Sequence, residues 1–296
     1  MFPISLLSAL KDKILLCDGA TGTQLQKLGL GFGACGELWN LEEPERIRTV
    51  HRLYAEAGSD LLTTNTFGGT RIALARHGLE GRQREINVAG ARLAREIAGE
   101  HRYVLGDMGP CGDLLDPYGD VQPEALFEDF KAQAEALLEG GADALLVETM
   151  SDPAEAAIAV KAARAAGAKV ILATYSFQKT PAGFKTMMGS DVRTALGAAI
   201  EAGADIVGSN CGTSLSLEDY EALAVDLVSA AQKHPVILQP NAGSPLLVEG
   251  KAVYNETPAQ MAEHVPALLA SGLRIIGGCC GTGPGHISAL RAKLGK

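Results

Sequence analysis

The sequence predicts an α/β chain folded as a single (β/α)8 barrel, a TIM barrel with its site at the C-terminal face of the strands. Three observations carry that prediction. Eight short apolar, β-rich runs alternate with longer amphipathic stretches from end to end, which is the pattern of strands joined through helices. The length of 296 residues is long for an ordinary domain but usual for one α/β barrel. Every run starts apolar and finishes in a group able to bind or ligate, as expected if eight strand ends converge on one mouth. A doubly wound sheet uses the same alternation and is the alternative.

The first stretch, MFPISLLSALKDK (1–13), lacks a basic leader and is broken early by Pro3 and Ser5. It reads as a short helix and not as a signal peptide. Strands are expected at ILLCDGA (14–20), LLTTNTF (61–67), RYVLGDM (102–108) and ALLVETM (144–150). Four more follow at KVILATYSF (169–177), IVGSNC (206–211), PVILQPN (235–241) and IIGGCCG (275–281). Amphipathic helical segments include 44–58, 124–141 and 219–234. The related fragments AGSDLL (57–62), GGADAL (140–145), AGADIV (202–207) and SGLRII (271–276) each precede an even-numbered strand. In each, a glycine ends a helix in the left-handed conformation, a polar residue turns the chain, and the strand begins. Three strand-to-helix connections are long, at 19–44, 178–191 and 242–258. All leave the strand ends where barrel enzymes keep their sites. With no low-complexity segment or Pro/Ser-rich linker, residues 1–296 are expected to form one domain.

Composition narrows the partners. A net charge of −9 and a pI near 5.2 argue against nonspecific binding to nucleic acid or to anionic membranes. No apolar run is long enough to span a bilayer. The six cysteines, at 17, 35, 111, 211, 279 and 280, have no framework spacing. A reducing cytoplasm is the expected location.

The strand-end groups, in order, are Asp18, Asn65, Asp107, Glu148, Thr174 or Ser176, Asn210 with Cys211, Asn241, and Cys279 with Cys280. Turn preference explains several of the asparagines, but it explains Glu148 and the cysteines poorly. One strand separates strands 6 and 8, so Cys211 and the Cys279–Cys280 pair can meet. Neighbouring cysteines on a regular strand point to opposite faces, and the flanking glycines permit the turn that brings both sulfurs together. Three thiolates hold zinc (Zn2+) with a fourth position open. The alternatives are buried small hydrophobes or a closed structural site completed by Cys35 or Cys111. Cys17, next to an inward-facing Asp18, is expected to point away.

Other chemistries fit less well. No strand ends in the lysine that a Schiff-base aldolase needs. There is no GxSxG elbow, and the histidines are expected at the surface or as caps. Gly277–Gly278 suit a phosphate site, but strand 8 is committed to its thiols. Trp39 and Phe32 either line a cation-binding pocket or pack their loop, and Met187–Met188 is expected to pack.

The motifs DGATGT (18–23), HRLYAEAGSDLLTTNTFGGT (51–70), GDMGPCG (106–112), VETMSD (147–152), SNC (209–211), QPNAGSP (239–245) and GGCCGT (277–282) span nearly the whole chain. Together they resemble the homocysteine-binding methyltransferase family. That family includes the N-terminal module of cobalamin-dependent methionine synthase and the betaine- and S-methylmethionine-dependent enzymes. The resemblance implies that homocysteine sulfur binds zinc held by Cys211, Cys279 and Cys280. It implies that Asp18 and Glu148 receive the substrate ammonium and that N–H groups of Gly19, Ala20 and Thr21 hold its carboxylate. Asn65 and Asn241 are implied second contacts. Methyl transfer to the sulfur would give methionine.

ELWNLEEPE (37–45) resembles the methionine-synthase branch more than the betaine branch. The length leaves no room for folate, cobalamin or reactivation domains, and no DxHxxG signature is present. The expected donor is therefore a methylcorrinoid on a separate protein, or a folate-linked partner in trans. A small sulfonium or betaine-like cation seated against Trp39 and Tyr or Phe side chains is the other. Loop 178–191 departs from the family form, which leaves room for a different small thiol as acceptor. A barrel that binds zinc and docks a corrinoid protein without turnover is a further reading, which the Asp18–Glu148 pair disfavours.

Overall fold

The computed structural model describes residues 5–244, 246–248 and 251–295. Residues 1–4 of the expected first helix, Pro245 of the QPNAGSP motif and residues 249–250 of the seventh loop lie outside them.

Eight strands form one sheet: β1 (Leu15–Leu16), β2 (Leu61–Thr63), β3 (Tyr103–Met108), β4 (Ala144–Met150), β5 (Ile171–Tyr175), β6 (Ile206–Asn210), β7 (Val236–Gln239) and β8 (Ile275–Ile276). Neighbours pair in the order β1-β8-β7-β6-β5-β4-β3-β2, all parallel. A parallel bridge between Cys17 and Leu61 joins the two ends. Closure decides against the doubly wound alternative, whose sheet stays open. Helices such as Pro44–Glu56, Gln83–Ala98 and Pro123–Glu139 intervene between strands and surround the barrel.

Parallel strands covered on both faces read as continuous apolar runs, and alternate residues divide between two cores. Leu15, Cys17, Leu105, Leu146, Leu172, Ile206, Ile237 and Ile275 fill one cluster inside the barrel. Leu16, Leu62, Val104, Leu145, Ile171, Val207 and Leu238 face the helices in the other. The short helix Leu6–Asp12, capped by the Ser5 side chain, adds Leu6, Ala9 and Leu10 to the inner cluster. It plugs that end of the barrel.

This division corrects the expectation for Cys17. Alternation along β1 sends its side chain into the barrel interior, where it is fully buried. Asp18 reaches the mouth because the chain leaves the ladder after Cys17. β8 is likewise shorter than the apolar run that contains it, because Gly277 and Gly278 carry it into the cysteine turn.

The repeated punctuation is realised four times. Gly58, Gly141, Gly203 and Gly272 have φ of 99°, 104°, 109° and 103°, a region open mainly to glycine. Two residues on, Asp60, Asp143 and Asp205 accept the N–H of Leu16 (2.9 Å), Val104 (2.8 Å) and Ile171 (2.8 Å) near the start of the preceding strand. Arg291, Arg95 and Arg164 pair with these aspartates from the helices. In the fourth copy Arg274 stands in the aspartate's place and donates to the Leu10 carbonyl at 2.8 Å, fastening the plug.

The long loops carry structure of their own. The first holds helix Thr21–Lys27, the fifth an antiparallel hairpin (Gln178–Thr180 with Gly183–Lys185), and the seventh a hairpin of Leu246–Val248 with Lys251–Val253. One histidine departs from the surface-or-cap expectation. His51 lies on the core side of Pro44–Glu56, buried, with neither ring nitrogen partnered. Burial lowers its pKa to about 4 and keeps it neutral.

Asp205→Ala leaves the Ile171 N–H without its acceptor, at a cost of about 1–3 kcal/mol. Urea unfolding is expected to show this loss with the sulfur site intact; an unchanged midpoint would contradict the role given to the repeat.

Candidate active site

Three sulfurs meet at the mouth of the barrel. Cys211 follows β6, its N–H bonded to the Gln239 carbonyl (3.1 Å) and its carbonyl accepting the Tyr220 hydroxyl (2.8 Å). Its φ is 56°, left-handed for a non-glycine residue, and such strain persists only where the surroundings enforce it. The GGCC run after β8 is held from both sides. Gly277 N–H bonds Leu238 O (3.1 Å) and Cys279 N–H bonds Pro240 O (2.8 Å), while Gly278 N–H crosses to Asp18 O (3.0 Å). Gly281 follows at φ 81°, and Thr282 Oγ1 donates to the Cys279 carbonyl at 2.7 Å. The turn expected from the glycines is present.

The three sulfurs all lie within 4.8 Å of one another, with Cys211 and Cys280 at 3.8 Å. A tetrahedral centre with bonds of about 2.3 Å to sulfur sets its ligand sulfurs roughly 3.8 Å apart. The cysteines are free thiols, not disulfides, and the trio could hold a metal ion. Cys35 and Cys111 do not complete it. Their thiols donate to Glu37 Oε2 (3.4 Å) and to the Asp113 carbonyl (3.3 Å). The neighbouring Cys279 and Cys280 thiols lower the Cys211 pKa to about 3. Donation to Cys211 pushes Cys280 up to about 11 and Cys279 up as well.

Beside the sulfurs lies a cavity of about 390 Å³. Its wall includes Asp18, Gly19, Ala20, Thr21, Asn65, Asp107, Glu148 and all three cysteines, and none of its described lining residues is a lysine or arginine. Asp18 accepts the Thr63 N–H (2.7 Å) and the Thr63 hydroxyl (2.8 Å). Burial raises its carboxyl to about 6 against those bonds. Glu148 is raised to about 8 by burial, then by Cys211 and Asp18. Asp107 is raised well above the ordinary range by burial and by Glu148, Glu37 and Asp18.

Asn210 joins sulfur to carboxylate. Its Nδ2 donates to Glu148 Oε2 (3.3 Å), to Thr149 Oγ1 (2.6 Å) and towards Cys279 Sγ (3.8 Å). Its Oδ1 accepts the Thr149 N–H and the Thr174 hydroxyl, each at 2.8 Å. Thr149, at φ 60°, is the second left-handed non-glycine residue of the site. In the first loop, a β-carbon at Gly19 would come within 2.6 Å of Thr282 Oγ1. The Ala20 N–H is already bonded to that oxygen at 3.2 Å, and helix Thr21–Lys27 starts without a side-chain cap.

The remaining candidates divide. Asn65 lines the cavity, with Nδ2 donating to Gly36 O (2.8 Å) and Asn40 Oδ1 (3.0 Å). Asn241 lies behind the sulfurs: its Nδ2 donates to Gly212 O at 3.1 Å, and its Oδ1 is buried without a partner. Trp39 is outside the cavity, its ring covered by the Arg46 guanidinium at 4.7 Å, so it packs its loop. Phe32, 98% exposed, neither packs nor lines a pocket, and Met187 and Met188 are exposed where packing was expected. Sequence reasoning missed Tyr254, which lies against Gly281, next to Cys280. It follows the hairpin of the seventh loop, away from any barrel strand end.

With this geometry in place, similarity to known proteins is informative. A family profile described as homocysteine S-methyltransferase matches residues 15–294. The chain belongs to the homocysteine S-methyltransferase family. Methionine synthase of Mycobacterium tuberculosis is 35% identical over 312 aligned positions, covering 99% of this chain and 26% of the relative. The chain thus spans about a quarter of the length of the curated relatives it matches. The homocysteine methyltransferase MmuM of Escherichia coli, solved in a metallated form, superposes with a TM-score of 0.77 at 27% identity, over 97% of this chain and 99% of that one. Its oxidized form gives 0.76 at 28% identity, over 98% of each. Among the described residues, no helix is long and apolar enough to cross a membrane.

The raised carboxyls of this family member fix the sign of a pH effect. A group whose pKa is raised on folding binds its proton more tightly in the folded state. Its contribution to stability is full below the ordinary value near 4 and is lost as pH rises, through about 6 for Asp18 and about 8 for Glu148. Relative to wild type, metal-free Glu148→Gln is expected to gain melting temperature as pH rises from 5 to 8.5, because the variant lacks the raised carboxyl that loses its contribution there. Parallel pH profiles for variant and wild type would contradict the assignment.

Proposed function

We propose that this barrel transfers a methyl group to the sulfur of homocysteine, releasing methionine, with zinc held by Cys211, Cys279 and Cys280. The observation that carries this reading is the meeting of three sulfurs at tetrahedral spacing with a carboxylate-lined cavity, in a member of this family. A free thiol, with pKa about 8.5, is mostly neutral at pH 7, and a coordinating metal deprotonates it. The chain therefore needs no separate general base.

Its own residues bind and orient. Asp18 and Glu148 receive the substrate ammonium, Asp18 fixed by Thr63 and Glu148 by Asn210. The N–H groups of Gly19 and Thr21 take the carboxylate, since that of Ala20 is bonded to Thr282. Asn65 is a further wall contact. Asn241 fixes the Gly212 carbonyl beside Cys211, and Tyr254 packs on Gly281 beside Cys280.

For the donor we infer a methylcorrinoid on a separate protein or a folate-linked partner, in a reducing cytoplasm. The 35% identity to a methionine synthase over 99% of this chain supports that reading. A small sulfonium or betaine-like donor is the second reading. Trp39 is covered by Arg46 and lies outside the cavity, which leaves Phe67 as the aromatic residue among its described lining residues. A barrel without turnover would have no use for the carboxylates facing the sulfurs.

Zinc-loaded protein incubated with homocysteine and each of methylcobalamin, methyltetrahydrofolate, betaine and S-methylmethionine is expected to yield methionine with methylcobalamin first. Production from no donor would contradict the enzyme reading. Cys280→Ala is expected to stay folded by circular dichroism and to lose its zinc by elemental analysis; full zinc retention would remove Cys280 from the site.

A further inference from the structure

Of the cavity's carboxylates, Asp107 has no role in the proposed substrate clamp, yet its surroundings are the least explained. It lies near the end of β3, only 4% exposed, on the wall shared with Glu148, Asp18 and the three cysteines. Its backbone is fully used: the N–H donates to Thr64 Oγ1 (2.9 Å), and the carbonyl accepts the Thr66 hydroxyl (2.8 Å). The side chain is not, since Oδ1 is buried without any hydrogen-bond partner. Holding the second loop in place thus falls to the main chain, and an apolar residue at 107 would do it without the cost of burying a carboxyl.

The neighbouring carboxylates differ. Both Asp18 oxygens accept bonds from Thr63, and Glu148 accepts one from Asn210. With no lysine or arginine among the described lining residues, the protein itself supplies no counter-charge for a third carboxylate. Unliganded, the carboxyl holds its proton; a cationic ligand group is the counter-charge that would let it ionise.

We propose that Asp107 is a substrate-binding residue, a third carboxylate on the ammonium of the amino-thiol, and that it selects amino-thiols over thiols lacking an amine. This assignment rests on the proposed homocysteine activity and adds to it the feature of the substrate that the site reads.

The test compares homocysteine with 4-mercaptobutanoate, the same chain without its amine, as ligands of the zinc-loaded protein by titration calorimetry. Asp107→Asn is expected to weaken homocysteine about tenfold or more, the scale of losing one charged hydrogen bond. The same change should leave 4-mercaptobutanoate within about twofold and bound zinc at the wild-type level. Asp107→Glu, which keeps the charge, should recover part of the discrimination. In turnover with methylcobalamin, the loss should fall on KM and not on kcat. Equal weakening of both thiols, or of neither, would overturn the assignment. Should Asp107→Asn fail to fold, Asp107→Ser serves the same comparison. Wild-type protein that binds 4-mercaptobutanoate as tightly as homocysteine would sink the selectivity without any variant. If zinc-loaded wild type binds neither thiol, the homocysteine reading itself falls and takes this assignment with it; if it binds homocysteine and Asp107→Asn binds it equally, only the assignment falls.

Discussion

Three sulfurs from two strands that are not neighbours must reach one point, and much of this molecule can be read as the means of meeting that demand. β7 lies between the strands concerned, and both cysteine segments are tied to it through Gln239 and Pro240. Barrel curvature brings the ends of β6 and β8 towards each other over it. A regular backbone would still turn one sulfur away, so the chain takes left-handed values at Cys211 and Gly281. Conformations of that kind cost of order 1–3 kcal/mol for a non-glycine residue. The hydrogen bonds from Tyr220 and Thr282 hold the strained turns in place.

The second feature of the site is unbalanced negative charge. Asp18, Asp107 and Glu148 each hold their proton more firmly than a free carboxyl, and burial is the leading cause in every case. Without ligands such an arrangement opposes folding, and the stability comes from elsewhere: the two apolar cores, the plug helix and the glycine–aspartate–arginine corners below. A site of buried carboxyls facing sulfurs is then a local cost carried by a scaffold remote from it, as expected where stability and activity compete. Asn210 couples the two halves, since one side chain contacts carboxylate and sulfur alike.

Much of this was legible in the residues. The eight apolar runs, the four glycine fragments and the polar strand ends gave the barrel, and the GGCC run with a lone Cys211 gave the metal-binding trio. What escaped depends on conditions that strand order does not encode. Cys17 and Asp18 are consecutive, and only the early end of β1 decides which of them enters the barrel. Trp39 offers the same aromatic ring to a ligand or to Arg46, seven residues on along the first loop and its helix. Phe32, Met187 and Met188 are apolar, but their side chains stand clear of the core. Asp107 was visible as a strand-end acid. Its unpartnered oxygen was not, because that depends on which neighbours have already been satisfied.

The central claim is that Cys211, Cys279 and Cys280 ligate one zinc and leave a position for the substrate sulfur. X-ray absorption at the zinc edge tests it most directly, on zinc-loaded protein before and after homocysteine. The expected result is three sulfurs at about 2.3 Å, becoming four when homocysteine is added. Fewer than three sulfurs in the first spectrum, or no change between the two, would contradict it.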